Sequence, residues 1–177
     1  MNDLNDPRYP VGKFERRDEL TPSERRTMIE EISAVPLLMR AAIDGLTPAQ
    51  LNTPYREGGW TLRQVVHHVP DSHLNGYIRF KLGLTEEMPT IKPYDEARWA
   101  ELPDSHDTPV KTSLTILEAL HDRWVRLLKS MKPADFQRKL MHPENGEMTL
   151  DAVLGLYSWH GRHHVGHITS ARQRLGW

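Results

Sequence analysis

Cysteine is absent from the 177-residue chain, which removes disulfides, thiolate catalysis, iron–sulfur clusters and cysteine-type zinc ribbons together. Any metal must be held by His, Asp or Glu. An excess of cations is absent too. Lys and Arg number 23 against 24 Asp and Glu, so there is no surplus of positive charge to neutralise a phosphate backbone or an anionic bilayer, and neither nucleic acid nor membrane is an expected partner. The basic pairs Arg16-Arg17 and Arg25-Arg26 have acids close by and read as solvated faces. No apolar run approaches the ~18 residues of a membrane span, and Met1 to Pro7 carries acids where a signal peptide needs cations. The expectation is a cytoplasmic protein of one domain, residues 1–177. GxGxxG and Walker glycine patterns are also missing.

Helix-start signals, in contrast, recur. Thr21-Pro22-Ser23-Glu24, Thr47-Pro48-Ala49-Gln50 and Thr61-Leu62-Arg63-Gln64 each fit a capping box, in which a Thr hydroxyl and an acid or amide three residues on satisfy each other's backbone donors. The pattern predicts helices over about 22–44, stopped by Gly45; 48–52; 62–82, stopped by Gly83; 109–131, opened by Thr108-Pro109; and 150–174, opened by Thr149. Pro36 and Pro70 fall inside two of these and should bend or split them. Residues 84–108 read as a long connection across the bundle and 138–148 as an irregular link. No alternating run is long enough for a sizeable sheet. The fold class is all-α, a four-helix bundle with a long crossover connection.

Ten histidines are the compositional oddity. His67, His68 and His73 share the second long helix; His160, His163, His164 and His167 share the last. His160 and His164 stand one turn apart, as do His163 and His167, so spacing alone does not choose between the pairs. A helical wheel does. Around Leu150, Leu154, Tyr157, Val165, Ile168 and Leu175, His164 lies roughly 30° and His160 roughly 70° from the stripe centre, whereas His163 lies over about 120° away. In the second helix His68 is nearer the apolar stripe than His67, and His73 falls on it. The most economical inward set is His68, His160 and His164. Three neutral imidazoles suit Zn²⁺, with Ni²⁺, Co²⁺ or Fe²⁺ as alternatives, at one ion per chain, and leave a position open for water or substrate. The Glu of an H-E-x-x-H zincin is missing, so a base must come from elsewhere. Asp71 is close enough in sequence to His68 to enter such a site. No catalytic residue is assigned. His106, His121 and His142 have no partners by spacing and read as surface or structural; the five tryptophans read as core or interface anchors, with Trp159 and Tyr157 placed to line a pocket.

The run from Pro54 through Gly58-Gly59-Trp60-Thr61-Leu62 to His68, continuing to Leu82, resembles the YfiT branch of the DinB-like proteins. Lys92-Pro93-Tyr94-Asp95-Glu96 does likewise, as does Gly155-Leu156-Tyr157-Ser158-Trp159-His160 with His163-His164 and His167-Ile168. The likeness covers nearly the whole chain. It implies a four-helix bundle, usually a homodimer, with a metal held by the histidine eight residues after the tryptophan, here His68, and by an HxxxH pair, here His160 and His164. Gly161 and Arg162 occupy variable positions within that pair. Members are described as metal-dependent hydrolases, and relatives include transferases that join low-molecular-weight thiols such as bacillithiol to electrophiles.

The leading expectation is therefore a metal-dependent hydrolase acting on a small-molecule substrate. A thiol S-transferase is the first alternative. A non-catalytic metal-binding stress-response bundle is the second, and would close the metal's shell with a fourth ligand from His73, Asp71 or another acid.

Overall fold

A computed structural model describes residues 6–177. Its long helices are α1 (Pro22–Ile43), α3 (Leu62–Thr85), α6 (Val110–Ser130) and α7 (Leu150–Leu175). Three short ones, α2 (Pro48–Leu51), α4 (Glu96–Ala100) and α5 (Pro103–Asp107), lie in the connections. All three capping boxes form, at Thr21 with Glu24, Thr47 with Gln50 and Thr61 with Gln64. Each of α1 and α3 packs against both α6 and α7. The four helices thus form a bundle in which sequence neighbours α1 and α3 sit on opposite corners. Neither Pro36 nor Pro70 splits its helix.

Several expectations need correction. The second long helix does not stop at Gly83 but runs on to Thr85. Gly83 is there for close approach, because a Cβ on it would stand 2.9 Å from Leu150 Cδ2. Residues 138–148 are not irregular. β1 (Lys139–His142) and β2 (Gly146–Thr149) pair antiparallel, with Leu140 opposite Met148, and Gly146 at φ 71° supplies the left-handed residue after the three-residue loop. Ile91 N–H donates to Met141 O and Met141 N–H to Pro89 O, so the crossover rests on this hairpin. Arg25 is not on a solvated face. Its guanidinium donates twice, at 2.7 Å each, to Asp151, which is fully buried and also accepts from Leu20 N–H and the Gln137 amide. That network ties the first turn of α7 to α1.

The apolar core is in two parts. One gathers Ile32, Phe80, Trp124, Leu150 and Tyr157; the other gathers Val35, Met39, Val69, Leu117 and Ile168. Each long helix contributes to both, and at the step between them α3, α6 and α7 carry His73, His121, and His160 with His164. A layer of imidazoles crosses the bundle between two apolar clusters.

Helix spacing at this layer depends on glycine. A Cβ at Gly76 would lie 2.5 Å from the Tyr157 ring, and one at Gly161 would overlap Val35 Cγ2 on α1. Gly161 is thus a packing residue and not a freely variable one. Gly161→Ala is expected to cost about 1–3 kcal/mol through overpacking. Gly155→Ala, whose Cβ meets only Met28 and Phe14 at 3.9 Å, should be neutral or stabilise by up to about 1 kcal/mol through helix propensity. Denaturant unfolding of the two variants checks this, and equal stabilities would contradict it.

Candidate metal centre

The loop before α3 brings the first wall of the site. Tyr55 N–H donates to Trp60 O, Leu62 N–H donates to Thr53 O, and Gly58 takes φ 64°. This tight loop sets Trp60 against His68, with ring centroids 4.7 Å apart. Nearly two turns into α3, His68 Nε2 lies 3.2 Å from His160 Nε2 of α7. His164, one further turn along α7, completes the group: His68, His160 and His164 each offer a ring nitrogen within 4.8 Å of the others. No carboxylate joins them among the described residues. The three face a cleft of about 480 Å³ lined by Trp60, Ser72, Arg79, Tyr94 and Tyr157 among others.

Two nitrogens bound to a tetrahedral ion at about 2.1 Å stand about 3.4 Å apart, close to the 3.2 Å observed between His68 and His160. Neutral imidazole with one bare nitrogen is the donor such an ion requires. Burial pushes His68 down to about 4 and holds His160 and His164 well below the ordinary histidine range, with neighbouring imidazoles adding to the effect. The residues present fit a divalent transition metal with an open position.

Other candidates fall elsewhere. His67 faces α6, where its Nδ1 is 2.7 Å from Ser113 Oγ. Asp71 does not line the cleft; burial and then Asp104 raise its carboxyl to about 6. His73 is fully buried with Nε2 3.1 Å from His160 Nδ1, on the side of that ring opposite the cleft nitrogen. It backs His160 and does not join the triad. His106 is exposed, but His121 is buried and bonded to His73, and His142 is buried beside the cleft.

The wheel misplaces His163. It is 7% exposed, as well buried as His68, because the segment from Asp6 to Phe14 lies along the outer face of α7. Trp159 stacks on His163 and donates from Nε1 to Gly12 O, Tyr9 approaches the same ring, and Pro10 packs on Gly166. His167 stands between His164 Nδ1 at 3.4 Å and Arg8 O at 3.3 Å. Nothing in a helical period announces such a strap. Trp124 is core, Trp60 and Trp159 line the cleft, and Trp99 is 40% exposed.

The profile of the DinB superfamily matches residues 31–168. The chain belongs to the DinB superfamily. It is 57% identical over 174 residues to a Bacillus cereus (strain 03BB102) protein named "Putative metal-dependent hydrolase", a match covering 98% of this chain and all of that one. A Bacillus thuringiensis subsp. konkukian relative bearing the same description matches to the same extent. Among solved structures, YfiT from Bacillus subtilis, described as "a probable metal-dependent hydrolase with an unusual four-helix bundle topology", superposes with TM-score 0.94 at 46% identity, covering 97% of this chain and 99% of that one. The diagonal placement of α1 and α3 belongs to that fold.

The histidine layer carries a pH signature. His68, His121 and His167 are lowered by burial to about 4 and His163 to about 3. Because the unfolded chain takes up protons near pH 6.5 and the folded chain does not, stability is complete above that pH and falls as the pH drops towards the folded values. Four such groups together lose about 5 kcal/mol per pH unit once well below pH 6.5, comparable with the whole stability of a domain. The metal-free protein is expected to unfold cooperatively between about pH 6 and pH 5. Circular dichroism unchanged down to pH 4 would contradict this.

Proposed function

We propose that this protein is a metal-dependent hydrolase in which His68, His160 and His164 hold one divalent ion per chain, Zn²⁺ first and Ni²⁺ or another transition metal next. The observation that carries the reading is the convergence of three neutral ring nitrogens on a cleft, with no carboxylate grouped with them among the described residues. An ion held by three ligands supplies Lewis acidity and brings a bound water's pKa towards about 7.

The chain's own groups provide the rest. Ser72 Oγ lies 3.3 Å from His160 Nε2. Tyr94, raised by burial to about 12, and Tyr157, also raised by burial, keep their phenolic hydrogens at neutral pH. They are hydrogen-bond donors for developing negative charge on a substrate oxygen and not bases. Arg79 donates to the Tyr157 hydroxyl at 3.1 Å and holds that ring in place. Neither Arg79 nor Arg56, both on the cleft, has an acidic partner among the described residues. The same cleft carries Glu96 and Glu144, and a small substrate that places negative charge at the two guanidinium groups suits this mixed lining. With no cysteine in the chain, a sulfur nucleophile would have to be supplied from outside.

Elemental analysis of protein purified without a histidine tag is expected to find about one transition-metal ion per chain. The metal-loaded protein should turn over members of an ester and amide panel. His160→Ala should keep its helical content and lose at least about 100-fold in metal affinity, more than an outer-shell change costs, with turnover falling alongside. Metal-free wild type that binds no added Zn²⁺ or Ni²⁺ would overturn the reading. Turnover only with an added thiol and an electrophile would replace the hydrolase with a transferase at the same centre.

A further inference from the structure

Proline inside a helix removes the N–H that would bond the carbonyl four residues earlier. Pro36 does this to Ile32 in the middle of α1. The freed Ile32 carbonyl is not left bare: His121 Nδ1 from α6 lies 2.7 Å from it. His121 Nε2 is 2.8 Å from His73 Nδ1 of α3, and His73 Nε2 is 3.1 Å from His160 Nδ1 of α7. Four helices are joined by one line of contacts that ends at a cleft histidine. His73 and His121 are 0% and 2% exposed, so water does not supply alternative partners.

The direction of every bond in this line follows from its end. A carbonyl oxygen only accepts, so His121 must carry its hydrogen on Nδ1, and a neutral imidazole has only one. His121 Nε2 is then an acceptor, which places the hydrogen of His73 on Nδ1. His73 Nε2 becomes an acceptor in turn and takes the hydrogen on His160 Nδ1. His160 Nε2 is left bare, and it is the nitrogen that faces His68 and Ser72 across the cleft. A metal ligand whose other nitrogen donates to a fixed acceptor is held in both tautomer and orientation.

We infer that His73 and His121 are positioning residues for the metal centre, which transmit the hydrogen-bond polarity of the Pro36-freed Ile32 carbonyl to His160 and keep its Nε2 available as a ligand atom. This rests on His160 being a ligand, as proposed above. His121 touches neither substrate nor ion. It acts through His73.

Two measurements test it. In metal-free, ¹⁵N-histidine-labelled wild type at neutral pH, long-range ¹H–¹⁵N spectra are expected to show His73, His121 and His160 all as the Nδ1–H tautomer, the minor form of free histidine. An Nε2–H tautomer at any of the three would overturn the inference. The second is Zn²⁺ affinity by chelator competition. His121→Phe keeps an aromatic ring but ends the line and is expected to bind about 10–100-fold more weakly. His121→Gln, whose amide can donate to Ile32 O and accept from His73, should stay within a few-fold of wild type. Wild-type affinity in the Phe variant, or equal losses in both variants, would overturn it. Should the Phe variant not fold, the spectra on wild type decide alone. A wild type that binds no Zn²⁺ strikes the metal reading instead, so the two failures are separable.

Discussion

A buried imidazole has two nitrogens to satisfy and, in an apolar core, little water to help. The structure places a layer of such rings between two apolar clusters, and the architecture around it can be understood as the means of satisfying them. His121 finds the carbonyl that Pro36 releases, His73 joins His121 to His160, and His167 lies between His164 and the Arg8 carbonyl. Of the nitrogens left over, one from each of His68, His160 and His164 come together at the cleft, whereas His67 Nε2 and His163 Nδ1 are buried with no partner among the described residues. Leaving any buried polar atom without a partner costs about 1–3 kcal/mol, so the layer is a constraint on all four long helices at once.

The helices meet closely enough for these bonds because residues without side chains stand at the crossings. Gly161 faces Val35, Gly76 faces the Tyr157 ring and Gly83 faces Leu150. The same economy explains why Gly161 sits inside the HxxxH pair. Gly161, one of the three residues between the two cleft histidines, is the one on which Val35 of α1 rests, so the apolar packing and the site share one turn of helix.

Much of this is legible in the amino-acid sequence. The three capping boxes mark helix starts because their chemistry is local, and the inward direction of His68, His160 and His164 follows from a period that the backbone obeys. What sequence reasoning misses is non-local. The strap over His163 is an irregular segment with two turns, whose Gly12 meets Trp159 from 147 positions away in the chain, and a wheel assumes that whatever faces away from the core faces water. His121 has no partner by spacing because its partners come from α1 and α3. Gly83 reads as a stop since glycine ends helices more often than it admits a neighbour. The hairpin has an available signal in Asn145-Gly146, a turn pair flanked by short runs, too brief to stand out in a helical chain. Pro36 is conspicuous in the sequence for what it removes from α1, whereas the carbonyl it frees is what the rest of the molecule uses.

The proposed metal centre stands on one convergence, that of a ring nitrogen from each of His68, His160 and His164. Anomalous diffraction from crystals grown with Zn²⁺ tests it most directly. The predicted result is one strong peak per chain, about 2.1 Å from a ring nitrogen of each of the three histidines. A peak elsewhere, or none at full Zn²⁺ loading, would contradict it.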